Sequence, residues 1–244
     1  MPRISPSVLL AMPAVVVGVV VTFVLFIAGL PVWLAALIGI GCAVIVALAV
    51  WRRAPSVALR SLGAETIDPA DEPRLANVVE GLCVTYGHPE PRLHRVESAS
   101  PNAAILGHSA DDSHLVVTTG LLDALDRLEL EAVVARQLSQ LRRGVEAGTV
   151  LVSVAKLVAP LGLRDRLLDR ALDRRSMVAV DLDGVRLTRY PPALASAYEK
   201  AAAIRPIEST PAADHLWLLG TTTGRPRGVV HPPLSDRIDV LREL

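Results

Sequence analysis

An uninterrupted apolar pattern opens the chain, with no charged residue between Arg3 and Arg52. Residues 8–30 and 32–51 each approach the roughly 20 apolar positions that an α-helix needs to cross a bilayer. Gly29-Leu30-Pro31 breaks the run and supplies a tight turn, and Trp33 and Trp51 flank the second segment where indoles favour the membrane interface. The first run is too long for a cleaved signal peptide, and a second follows at once. Arg3 and the pair Arg52/Arg53 lie at the outer ends, while the turn carries no charge. The positive-inside rule therefore predicts a cell-membrane protein with two spans and both termini in the cytoplasm. The pattern divides the chain into a transmembrane hairpin, residues 1–54, and a cytoplasmic domain, residues 55–244. Pro13, Gly18, Gly39 and Gly41 suit close helix packing without defining a dimer face.

After Arg53 the pattern becomes that of a water-exposed fold. Residues 54–70 read as a linker or a short strand and loop. A helix opens near Pro73, carries Leu75, Val78, Val79, Leu82 and Cys83 at helical spacing, and stops at Gly87. Residues 92–97 alternate as a strand, and 103–106 with 114–118 form a hairpin around Ala110-Asp111-Asp112. A short helix over 121–125 precedes an amphipathic one over 128–143. Asp126 and Glu129 have the spacing of a capping box, Arg142 and Arg143 occupy the last turn, and Gly144 is a stop. Val134, Leu138 and Leu141 make its apolar face, while Arg136, Gln137 and Gln140 point together from a neighbouring one. Residues 149–163 are apolar apart from Lys156 and are interrupted by Pro160. They predict a buried helix or one lying in the membrane plane, with a re-entrant segment as the third option. Further helices are expected over 164–175 (charged and solvated), 178–187, 191–204 and 235–244, with a strand over 215–219.

Composition narrows the chemistry. Hydrophobic residues make up 51% of the chain, high for a soluble globule, and with a formal charge of +0 nothing suggests nucleic acid as a partner. Cys42 and Cys83 read as free packing thiols. The histidines at 88, 94, 108, 114, 215 and 231 never stand three to five apart, so no helix can present a His pair to a metal. Ser139 has no His at helical spacing to activate it. Asp111-Asp112 and Asp181/Asp183 read as solvated acidic pairs. Gly220…Gly224 lacks the Lys-Ser/Thr of a phosphate loop.

Five stretches carry a resemblance. They are Ser100-Pro-Asn-Ala103 with Gly107, then residues 117–125, the helix 128–144, Val180-Asp181 through residue 200, and His231-Pro-Pro-Leu-Ser-Asp-Arg-Ile238. In this order, behind an apolar hairpin, they resemble the HtpX-type membrane zinc metallopeptidases of bacteria, a family that includes the CAAX prenyl endopeptidases. The resemblance implies a mainly α-helical gluzincin-like metallopeptidase domain with a small β-sheet. In that family two His at i and i+4 hold zinc and the Glu beside the first activates water. Those positions here read Arg136, Gln137 and Gln140, and the third ligand position falls on Met177. Arg has no lone pair for a metal, Gln cannot take a proton from water, and a thioether is a soft donor.

These departures lead to the expectation of a chain that is not an enzyme and holds no zinc or other cofactor. It would be a pseudo-metallopeptidase acting as an accessory or regulatory subunit, or as a binder of another membrane protein. The alternatives are an active zinc endopeptidase with atypical ligands and a module holding a peptide in the retained groove. Besides the bilayer, the partner expected is a membrane protein or complex. Asp181 stands where the family supports a zinc-bound His. Arg136 is expected either to fill the metal position and pair with Asp181 or to reach solvent through an open cleft.

Overall fold

The computed structural model describes residues 4–171, 175–222 and 231–244. Arg3, residues 172–174 of the charged segment and Gly224 lie outside the described residues. Ser5 caps α1 (Pro6–Ile27), and Gly29 takes φ +91° in the turn to α2 (Val32–Leu62). Both are long and apolar enough to cross a membrane. They pack on each other at Gly18 and Gly39, where a Cβ on Gly39 would fall 2.6 Å from the Gly18 carbonyl oxygen. Thr22 Oγ1 donates to that same carbonyl at 2.8 Å. Gly41 faces open space, so it takes no part in the close approach.

The linker expected after residue 53 is instead the last part of α2, which continues through Arg52, Arg53 and Pro55 to Leu62. Ala54, Ala58 and Leu62 are buried there, so tertiary packing holds in helix a segment whose Pro and Arg pair read as a break. The boundary drawn at residue 54 therefore falls inside a continuous helix.

Four strands form the sheet: β1 (Glu65–Thr66), β2 (Arg92–Val96), β3 (Ala103–Gly107) and β4 (Ser113–Thr118), in the order β1-β2-β4-β3. β2 and β4 are parallel, and the other two pairs are antiparallel, with the β3–β4 hairpin in the register Ile105↔Leu115. Alternation sends Leu93, Ile105, Leu115 and Val117 to one face, against α3 (Pro73–Tyr86) and α5 (Arg127–Arg142). The other face carries Val96, Ala104, Leu106 and Val116 against Ala58 and Leu62 of α2.

The short α4 (Thr119–Ala124) leads into α5. At Gly144, φ +92°, the chain turns through 82° into α6 (Glu146–Val158). Then come α7 (Arg164–Ala171), α8 (Arg175–Thr188), α9 (Pro191–Ala202) and α10 (Leu234–Arg242). The strand expected over 215–219 is instead a single 3-10 turn, Asp214–Leu216, followed by one antiparallel bridge from Trp217 to Ala104 and a bend. Leu218 N–H donates to the Ala103 carbonyl at 2.7 Å, so this segment lies along the outer edge of β3. α6 packs through Val150, Leu151, Val154 and Ala155 onto Leu9 of α1 and Ala54 of α2. His108, in the β3–β4 turn, faces the Trp51 carbonyl at 2.6 Å and the Asp112 carboxylate at 2.8 Å, tying the sheet to α2.

Candidate functional site

α5 is anchored at its start by a complete capping box. Glu129 N–H donates to Asp126 Oδ1 at 2.9 Å, and Asp126 N–H donates to Glu129 Oε2 at 2.8 Å. Glu129 also accepts from Lys200 Nζ and Ser196 Oγ of α9, both at 2.6 Å, so the cap fixes α5 against α9. Its carboxyl sits below the usual carboxylate range because the Lys200, Ser196 and backbone hydrogen bonds outweigh its burial.

About two turns on, α8 comes against α5 at Gly184. A Cβ there would stand 2.6 Å from the Arg136 Cα, so only glycine permits this approach. Asp181, nearly a turn earlier on α8, is thereby brought to the Arg136 side chain. Arg136 Nε donates to Asp181 Oδ1 at 3.1 Å. Its NH1 donates to Gln137 Oε1 at 3.0 Å and to Gln140 Oε1 at 2.5 Å. The guanidinium therefore turns inward, with Arg136 only 2% exposed, rather than reaching solvent.

Two further residues complete the cluster. Arg237 of α10 grips Asp181 through both oxygens, Nε to Oδ2 at 2.6 Å and NH2 to Oδ1 at 2.8 Å, and its NH1 donates to the Leu218 carbonyl at 2.9 Å. Tyr198 Oη donates to Asp181 Oδ1 at 2.9 Å, while Arg237 lies over the Tyr198 ring at 4.5 Å. Burial alone would raise the Asp181 carboxyl, but Arg237 and then Arg136 outweigh it and hold the group ionised. Burial pushes the Tyr198 phenol up, so it stays a donor. Arg237 was visible in the closing stretch of the chain and Tyr198 in the segment before it, but neither has a spacing that announces a partner 56 or 17 residues away.

Met177 is buried one turn before Asp181 on α8. Gln137 is fully buried, and its Nε2 finds no acceptor among the described residues. Ser139 Oγ donates back to the Ala135 carbonyl at 2.9 Å, with no base beside it. The histidines gather elsewhere. His94 Nε2 and His114 Nδ1 are 2.9 Å apart under the sheet, and burial lowers His94 to about 4. His231 Nε2 donates to the Asp214 carbonyl at 3.1 Å, and burial lowers it to about 3. Among the described residues no three His, Cys, Asp or Glu side chains converge as metal ligands. A zinc ion does not fit the set at 136, 137, 140 and 177. The space beside Asp181 is filled by a permanent cation, and both carboxylate oxygens are taken up by Arg and Tyr donors.

A small mixed sheet, a long helix whose buried polar groups meet neighbouring helices, and an apolar hairpin packed beneath them make a mainly helical domain joined to two helices apolar enough to cross a membrane. Residues 69–144 match the profile of Peptidase family M48. Proteins named "Protease HtpX homolog" are similar over most of their length. The one from Dictyoglomus thermophilum is 31% identical over 79% of this chain and 76% of its own. That from Salinibacter ruber is 29% identical over 78% and 80%, and that from Tropheryma whipplei 30% over 75% and 76%. The chain belongs to the HtpX family of M48 peptidases, and the apolar hairpin marks it as a membrane protein.

This comparison corrects one expectation from the sequence. The chain was expected not to be an enzyme, yet the relatives that cover three-quarters of it are named as proteases.

Proposed function

We propose that this HtpX-family protein is anchored in the cell membrane by α1 and α2 and binds another membrane protein as its accessory or regulatory subunit. The observation that carries the reading is the closed cluster of Arg136, Asp181, Tyr198 and Arg237. These groups are bonded to one another, so they brace α5, α8, α9 and α10 into a rigid body held at the membrane. Arg52 and Arg53 beside the apolar run, with an uncharged turn at its other end, support a cytoplasmic domain. The extended-peptide version is less supported, because the outer edge of β3 already receives Leu218 N–H and Gly107 N–H already donates to Thr149 Oγ1. No zinc or other cofactor is part of this reading.

Purification of the tagged full chain from native membranes in mild detergent is expected to bring down one membrane protein in near-equal amount. Recovery of the chain alone, at intact yield, would reject the subunit role. The relatives' names favour a second reading, in which the protein that is held is also cut. It is tested by incubating the purified full chain with an unfolded membrane protein and following new termini by mass spectrometry, with and without a chelator.

A further inference from the structure

α6 has two unlike halves. Val150, Leu151, Val154 and Ala155 are buried against the hairpin, but the helix end and the turn after it open outward. Leu157 is 54% exposed, Leu161 71% and Leu163 43%, and Pro160 and Gly162 between them are exposed as well. Gly162 closes the turn at φ +67°, with Leu163 N–H returning to the Val158 carbonyl at 3.4 Å. The other exposed large apolar residues beyond the hairpin, such as Val84, Leu128 and Tyr190, are separated singly along the chain. Cations bracket the turn, Lys156 before it and Arg164 and Arg166 after it, with Asp165 between the two arginines accepting from Arg164 Nε at 3.0 Å.

We propose that the turn 157–163 inserts into the cytoplasmic-side interface of the bilayer as a third membrane contact. Leu157, Leu161 and Leu163 enter the acyl boundary, and Lys156, Arg164 and Arg166 meet anionic headgroups. The occupant is lipid because the turn continues a surface already at the membrane. The cluster from which it projects includes Ile4, Leu9 and Leu10 at the start of α1, and Val50, Trp51 and Ala54 where α2 leaves its apolar run. Seven residues are far too few to cross. Apolar side chains flanked on both sides by cations are what an interfacial anchor needs, since the stems bury with the leucines while the charges stay at the headgroups.

The proposal rests on the reading that α1 and α2 span the bilayer, so the test separates the two. The full chain carrying Cys42→Ala takes a nitroxide at Leu161→Cys, at Ile40→Cys in mid-hairpin, or at Val84→Cys on α3. The native Cys83 is buried and its thiol is pushed up to about 11, so it does not compete for label. In vesicles of zwitterionic lipid with one-quarter anionic lipid, collision rates with oxygen and with a water-soluble nickel chelate are compared. The expected result is an oxygen-to-nickel ratio at 161 well above that at 84 and below that at 40, as an interfacial depth requires. Replacing Lys156, Arg164 and Arg166 together by Gln is expected to lower the ratio at 161 in anionic vesicles only. A water-like 161 beside a lipid-like 40 overturns the insertion and leaves the hairpin standing. A label at 161 shielded from both reagents also overturns it and makes the turn a protein contact. A water-like 40 removes the spanning reading and this one together.

Discussion

Asp181 is the one anion, among the described residues, bonded to both buried guanidiniums, and the loss of either partner has unequal consequences. With Asp181→Asn, both Arg136 and Arg237 lose their counter-charge in a dry environment, and the expected cost is about 3–5 kcal/mol. With Arg136→Met, Arg237 and Tyr198 still satisfy the carboxylate, so the expected cost is smaller, about 1.5–3 kcal/mol. Denaturant unfolding in detergent orders the two, and equal costs would show that Arg136 is the main partner. Buried histidines set the acid limit. His94 and His231 ordinarily titrate near 6.5 but are lowered to about 4 and about 3. Their neutral forms suit the fold, and the unfolded chain takes up their protons first as pH falls. Stability is therefore full above about 6.5, declines as pH drops towards 4, and is further reduced when Asp181 protonates. Thermal unfolding across this window is expected to show a shallower slope in His94→Gln than in the parent.

Helix packing depends on single permissive positions. Gly184→Ala would drive a methyl to within 2.6 Å of the Arg136 Cα, so α5 and α8 must part. The expected loss is at least about 1–3 kcal/mol, with Arg136 and Asp181 pulled out of register. A wild-type melting temperature for this variant would refute the close approach. At the other end of α5, Glu129 combines the N-terminal cap with the tie to α9 through Lys200 and Ser196. Glu129→Ala is expected to cost about 1–2 kcal/mol, the upper part of the range for a lost cap. Lys200→Ala should recover only a small part of that effect, because its ammonium is half exposed and screened.

At the scale of the molecule, hairpin and domain form one body. α2 runs without a break from the apolar span to Leu62, and its last turns cover one face of the sheet and the inner side of α6. A fragment beginning at residue 63 is therefore expected to expose Val96, Leu106 and Val116 along with Val150, Leu151 and Val154. Binding of an apolar dye and aggregation on size exclusion would report this, whereas a monodisperse, dye-free fragment would show that the domain folds without its helix. In the full chain, amide exchange across 56–62 is expected to be as slow as in α5, which a flexible linker would not allow.

Local signals in the chain were strong where one residue speaks for its own neighbourhood. The charge-free run announced the hairpin, Asp126 and Glu129 announced the start of α5, Gly144 its end, and alternation around Asp111 the β3–β4 hairpin. The family resemblance points to Arg136 and Asp181, and Arg136 Nε donates to Asp181 Oδ1 across α5 and α8. What lay beyond reach depends on partners distant in the chain. Pro55 and two arginines read as a break until the burial of Ala58 and Leu62 holds the helix through them. Residues 215–219 read as a strand, but the chain turns at Asp214 and only brushes the edge of β3. Arg237 and Tyr198 look ordinary on their own helices, and only the packing of α8, α9 and α10 supplies the carboxylate that makes them a cluster. Propensity and capping act within a turn or two of chain and so belong to the sequence. Burial and the pairing of charges belong to the assembled core, because only there is water removed and a distant group brought within hydrogen-bond reach.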